Sequence, residues 1–248
     1  MKIVLTAIFI CLSLYSINGF GQKRRLVPTA PVTAREVGKT GVVMDETLSV
    51  LRVKPSLFAE PVQRMRRGRQ VRILGVTEAD GVKFFRVSAL PSSAGWVQAD
   101  AVFGKFRDGD DARLAKLVQS MSGFDQIETA VEFFNLYPLS QFRPALLLLY
   151  GDLLEETAAK LSRDATSRLD RREMAASAAP LHSYYLNFVS LDRYRKLGVL
   201  FLFNSNTRQF HYDGSSWNEI VKKFPGTNEA AEAQKRIDSL KEKLAKKP

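Results

Sequence analysis

Cysteine is almost absent, with Cys11 the single one in a chain of 248 residues. It lies inside an apolar N-terminal run, Ile3 to Tyr15, so a chain that sheds that run on export keeps no thiol. Disulfides, thiolate metal sites and a cysteine nucleophile are then excluded. Histidine is nearly as scarce: His182 and His211 are the only 2. They stand alone in sequence, and no zinc-ligand spacing is present. No Walker loop, dinucleotide fingerprint or nucleophile elbow is present. Negative charge is the minority sign, since 26 Asp and Glu face 37 Lys and Arg for a formal net charge of +11. That surplus favours polyanionic partners.

The N-terminus narrows the choice of polyanion. Lys2 opens it, the apolar run is too short to span a bilayer comfortably, and Gly19-Phe20-Gly21 is a small-x-small cleavage pattern. Residues 1–21 therefore read as a secretory signal peptide, with Gln22 the first mature residue and an uncleaved anchor as the alternative. Lipidation at Cys11 is disfavoured by Ile10, where a small residue is wanted. A secreted or periplasmic chain meets anionic envelope surfaces, not nucleic acid. Residues 22–39, with Lys23, Arg24, Arg25, Pro28 and Pro31, read as a basic linker.

Residues 40–106 carry short β-branched and aromatic runs divided by turn signals, the pattern of a small all-β unit. Val42-Val43, then Leu48 to Leu51, open it. Pro55 and Pro61 break LRVKPSLFAEPVQRM into a surface loop, because proline lacks the donor a sheet interior needs. Val71 to Val76, Asp80-Gly81 and Phe84 to Val87 form a strand, a two-residue turn and a return strand. Gly95-Trp96-Val97 closes the series.

On these residues the stretch resembles a bacterial Src-homology-3-like (SH3-like) barrel. Leu51, Arg52, Pro55 and Ser56 match its first segment; Arg67, Gly68, Val71 and Leu74 the basic turn and strand; Phe84, Phe85 and Val87 the third; and Gly95, Trp96 and Val97 the last. Lys54 replaces the glycine usual before the proline, so the ligand preference of the loop does not carry over. The resemblance implies a binding module that takes a cell-wall peptide or an envelope protein segment.

From 107 to 248 the period becomes helical. Leu114, Leu117, Val118 and Met121 define one face; Phe124, Ile127, Val131 and Phe134 the next, ending at Tyr137-Pro138. The leucine-rich stretch from about Arg143 to Ala159 is apolar nearly all round, so it is expected between neighbours. Arg163 to Met174 reads as a solvated helix, and Leu181, Tyr184, Tyr185, Phe188 and Leu191 have helical spacing. Residues near 199–213 form either a β-hairpin or an extended excursion. Ser216 and Glu219 have capping-box spacing, and Thr227 can cap the last helix. Phe134, Tyr137, Pro138, Ser140 and Ala145 are echoed by Val221, Phe224, Pro225, Thr227, Ala230 and Ala233. Helix pairs joined by such a turn resemble tetratricopeptide-like repeats. The fold class expected is α+β, an SH3-like barrel followed by a tetratricopeptide-like helical region.

The candidate ligand-binding residues are the arginines of the densest charge cluster, Arg64, Arg66, Arg67, Arg69 and Arg72. Forked guanidinium donors suit carboxylate or phosphate, and Phe84, Phe85 and Trp96 could supply an aromatic groove beside them, although one or two of the three must be core. The competing reading is a solvated strand edge that blocks aggregation. His211 with Asp213 has the look of a base and its orienter, but strand alternation argues for a surface or edge pair. No catalytic residue, metal ligand or cofactor is expected. The function expected is noncatalytic envelope binding or scaffolding; the alternatives are an envelope hydrolase or its activator, and salt-sensitive polyanion binding.

Overall fold

A computed structural model of the protein describes residues 34–89, 93–169 and 181–245. The expected signal peptide, Cys11 and the arginines of the early linker lie outside the described residues. The fold is mixed: an antiparallel sheet of seven strands is followed by helices and a two-stranded hairpin.

The sheet strands are β1 Thr40–Val43, β2 Val50–Arg52, β3 Pro61–Arg64, β4 Gln70–Ala79, β5 Val82–Ala89, β6 Ser93–Gln98 and β7 Val102–Phe103. Their order is β3-β2-β6-β5-β4-β1-β7. Strands β3 and β7 do not pair with each other, so no barrel closes, contrary to the sequence expectation. Both end strands are short: β3 has four residues and starts at Pro61, and β7 has two. Proline withholds a ladder donor, and two residues offer too few bonds to complete a ring. The inner face buries Leu51, Val71, Ile73, Phe85, Val87 and Val97. Asp80 (φ 54°) and Gly81 (φ 73°) make the tight turn between β4 and β5, the positive dihedrals that match strand twist in a two-residue hairpin. Residues 34–39, expected to end a linker, are instead a turn held to the sheet. The Gly38 N–H donates to the Ile73 carbonyl at 2.8 Å, and Lys83 donates to Glu36 at 3.2 Å.

The helices are α1 Asp110–Ser120, α2 Gly123–Leu136, α3 Arg143–Ser167, α4 Leu181–Leu186, α5 Asp192–Arg195, α6 Ser215–Lys223 and α7 Asn228–Ala245. Strands β8 Phe201–Asn204 and β9 Gln209–Tyr212 form the hairpin, which decides between the two readings of that stretch. Helix α3 is the hub and packs on α2, α6, α7 and β9; Leu146, Leu147, Leu154 and Leu161 are its buried leucines. It runs past Ala159 to Ser167. The buried face of α2 is Gln126, Ile127, Ala130 and Phe133, so Phe124, Val131 and Phe134 lie at its margins. Ser216 does not cap α6. The N-cap is Gly214, the Ser216 N–H donates to the Tyr212 hydroxyl, and Glu219 turns to Arg143 at 2.8 Å. Thr227 does cap α7, accepting the Ala230 N–H at 3.3 Å.

Two hydrophobic clusters, one inside the sheet and one among the helices, meet at β1. Alternation along β1 sends Val43 into the sheet interior, while Val42 and Met44 join Phe103, Leu114 and Ile127 on the helical side. Polar contacts lock the junction. Tyr137 donates to the Gly104 carbonyl at 3.1 Å. Asp110, 1% exposed, accepts from both Arg107 and Arg113. Burial pushes its carboxyl up, and the two arginines only partly oppose this.

Arg67 is the corresponding clamp from the sheet side. Its side chain, 7% exposed, lies 3.1 Å from Glu128 and 3.5 Å from Asp125. Its Nε donates to the Met44 carbonyl. Arg67→Met is expected to destabilise the chain by about 1–2 kcal/mol, because Asp125 and Glu128 can rehydrate but the Met44 carbonyl cannot. Chemical denaturation checks this, and an unchanged midpoint would show the clamp to be idle.

Candidate functional site

The structure scatters the arginine cluster. Arg67 is spent on the clamp. Arg64 is exposed and donates to the Glu46 carbonyl at 3.0 Å, Arg66 is exposed and Arg69 half-buried on either side of the Gly68 turn, and Arg72 projects from β4. Five residues close in sequence therefore serve different surfaces, because strand ends and turns re-aim successive side chains. Of the three aromatic candidates, one or two of which had to be core, two are. Phe84 and Phe85 are both 0% exposed; Phe85 fills the sheet interior and Phe84 points to the opposite face. Only Trp96, half-buried, is open to a ligand.

Around Trp96 the sheet assembles a different group. On β6 it stands directly opposite Arg52 of β2 on one side and Arg86 of β5 on the other. Strand alternation puts all three on the outer face. One row along, Arg72 faces Ser88, which places Arg72 diagonally across from Arg86. Gly95 permits the arrangement: a Cβ there would lie 2.7 Å from the Arg52 carbonyl and 2.9 Å from Leu51. Only glycine lets β2 come this close.

The loop 53–60 is pinned beside this face. Arg52 donates to the Ala59 carbonyl at 2.7 Å. Asp80 accepts from the Ser56 hydroxyl at 2.7 Å and the Leu57 N–H at 2.8 Å. Those two bonds hold the Asp80 carboxyl below its usual range. The loop leaves Phe58 90% and Val53 52% exposed. Arg72 and Arg86 are exposed, and no acidic side chain pairs with either among the described residues. The face thus offers an indole, unpaired guanidinium groups and an apolar loop. Forked guanidinium donors and an exposed ring are groups suited to holding a carboxylate and stacking an apolar or planar body.

Sequence reasoning missed Arg86 as a site residue. Alternation within FFRVSA does place Phe84, Arg86 and Ser88 on one face and Phe85, Val87 and Ala89 on the other. What the sequence does not carry is the register that sets Arg86 against Trp96.

His211 lies elsewhere and is 5% exposed. It is buried, not a surface residue, and its partner is Glu155 on α3 at 3.0 Å, not Asp213, which accepts from the Ser215 N–H. A carboxylate only accepts, so Nδ1 carries the proton. Glu155 also receives the Tyr212 N–H at 2.9 Å and Lys243 at 2.8 Å. Burial would push its carboxyl up; the bonds from His211, Lys243 and Tyr212 overrule it and hold the group at about 2. This cluster ties α3, β9 and α7 together. The His211 Nε2 atom is sealed from solvent, which leaves it unable to reach a substrate proton.

Among the described residues, no group of His, Cys, Asp and Glu is placed to hold a metal ion, and no helix is long and apolar enough to cross a membrane. In comparisons with known proteins, no family model, no curated protein and no solved structure matches the chain.

Proposed function

We propose that this chain is a noncatalytic, extracytoplasmic binding protein of the cell envelope. Its sheet unit takes a carboxylate-bearing wall peptide on the outer face, and its helical region holds a partner protein. The observation that carries the reading is Trp96 bracketed by Arg52 and Arg86 across two strand pairs, with no acidic partner for Arg86 among the described residues. An extended peptide can lie along such a face, with its carboxylates on the guanidinium groups and its apolar parts on the indole and Phe58.

An SH3-like origin of the sheet is supported by where the motif residues fall: Leu51 and Arg52 on β2, Val71 and Leu74 on β4, Phe84 to Val87 on β5 and Gly95 to Val97 on β6. A tetratricopeptide-like origin of the helices is supported by the two aromatic-Pro turns. Tyr137 (φ −126°, ψ 62°) and Phe224 (φ −130°, ψ 46°) end α2 and α6 with nearly the same backbone. In both turns the Ser or Thr N–H, of Ser140 or Thr227, donates to the carbonyl of that aromatic residue. The second helix of the first pair also packs on the first helix of the second pair, the stacking that such repeats require.

The test is co-sedimentation of the mature chain with purified peptidoglycan sacculi across a salt series. Trp96→Ala and Arg86→Glu are each expected to weaken binding about tenfold or more while leaving the thermal midpoint in place. Binding that both variants retain would overturn the reading. Binding lost by every form at modest salt would point instead to nonspecific attraction by net charge.

A further inference from the structure

A second concave site lies in the helical region. A cavity of about 460 Å³ opens between the N-terminus of α2, the outer side of α3 and the segment around Ser190 to Tyr194. This is within the size range of small-ligand sites. Its floor is apolar. Ile127, Leu161 and Tyr194 are buried there, and half-buried Phe124 and Leu153 flank them.

The rim is charged, and its charges are not spent on one another. Lys160, Arg163 and Arg193 face Glu156 and Asp164 around the opening, and none of these five forms an ion pair among the described residues. Arg193 is preorganised without being neutralised. Its guanidinium lies 4.8 Å from the Phe124 ring centre and 4.7 Å from that of Tyr194, and it donates to the Tyr194 hydroxyl at 2.8 Å. The two rings meet edge to face at 5.3 Å, so the cation stands on a rigid aromatic base. At the same opening α2, fourteen residues long, starts at Gly123 with no side chain capping its first N–H groups, which adds a partial positive charge.

From this geometry we infer that the cavity binds the C-terminal end of a peptide, with the apolar last side chain on the Ile127–Leu161 floor and the free carboxylate on Arg193. The charge balance selects the ligand. Three cations against two acids leave one positive charge, and the α2 terminus adds about half of another. That matches a single carboxylate better than a dianionic phosphate. The enclosed apolar floor calls for a body attached to the charge, which inorganic anions lack. This deepens the reading of the helical region as the part that holds a protein, and it does not depend on the Trp96 face.

The experiment is residue-resolved amide NMR of the mature chain, titrated with acetyl-Gly-Gly-Leu as the free acid, with its C-terminal amide, and with inorganic phosphate. The free acid is expected to shift amides in 123–127, 153–164 and 190–194, and to bind about tenfold more tightly than the amide. Arg193→Ala is expected to remove that difference and Trp96→Ala to leave it intact. Arg193→Lys, which keeps the charge without the planar fork, is expected to fall between. Equal binding of acid and amide, or tighter binding of phosphate, would overturn the inference. Shifts confined to other helical surfaces would overturn this site while leaving a partner-holding helical region standing. No shift anywhere in 110–245 would count against both.

Discussion

Replacing Glu155 with alanine is expected to destabilise the chain by about 3–4 kcal/mol, a large part of the stability of an ordinary domain. The carboxylate is the shared acceptor for His211 Nδ1, the Tyr212 N–H and Lys243. Its loss strands a buried imidazole and a buried backbone donor, each of which carries a desolvation cost. Glu155→Gln is expected to cost less, because its amide oxygen can still accept one of the bonds. The same group sets an acid limit. Its folded value of about 2 lies below the ordinary 4.5, so the folded state binds the proton less readily than the unfolded chain. Its contribution, roughly 3 kcal/mol, is therefore complete above pH 4.5 and lost as the pH falls from there through 2. Urea midpoints measured from pH 7 to pH 2 should decline over that window in the natural chain and more shallowly in Glu155→Gln. Parallel curves would show that the cluster does not govern acid stability.

Gly151→Ala is expected to destabilise the chain by about 2–3 kcal/mol, although alanine is the better helix former by up to about 1 kcal/mol. The added methyl would lie 2.2 Å from the Trp217 Nε1 atom, 2.6 Å from Cε2 and 2.7 Å from the Ser216 hydroxyl. Trp217 is 2% exposed and has no room to retreat, so α3 and α6 must move apart. Trp217→Phe removes the part of the ring that collides. The double variant Gly151→Ala with Trp217→Phe is therefore expected to be more stable than the two single effects sum to, by about 1 kcal/mol or more. Strict additivity in thermal or urea unfolding would mean that the close approach of the two helices is not what glycine protects.

These two positions show where sequence reading stops. The long leucine-rich helix was legible from its apolar residues, yet nothing in LLLLYGDLLEE says that Gly151 is where Trp217 lands 66 positions later. Likewise, FHYDG pairs His211 with Asp213 by proximity along the chain, whereas the fold chooses Glu155 from another element. The Asp80-Gly81 turn was legible because two positive dihedrals are a local demand that few residue types meet. The helix ending at Tyr137-Pro138 was legible because proline disfavours helical geometry in the residue before it. The capping box at Ser216 and Glu219 had the right spacing and failed: the helix is capped earlier, at Gly214, the Ser216 N–H goes to the Tyr212 hydroxyl, and Glu219 is taken by Arg143.

Local chemistry therefore determined individual turns and helix ends such as Asp80-Gly81 and Tyr137-Pro138, the change from strand to helical period near 107, and a described region with more basic than acidic residues and no thiol. Those properties depend on neighbours within a few residues or on simple counts. Tertiary structure alone decided which arginines remain free and what each one faces. Cross-strand register brought Arg52 and Arg86 to either side of Trp96, and the packing of β1 against the helices consumed Arg67. The packing of α2, α3 and the segment around Tyr194 created the cavity beneath Arg193. Register and packing are settled by buried contacts between residues distant in the chain, and composition and periodicity hold no record of those contacts.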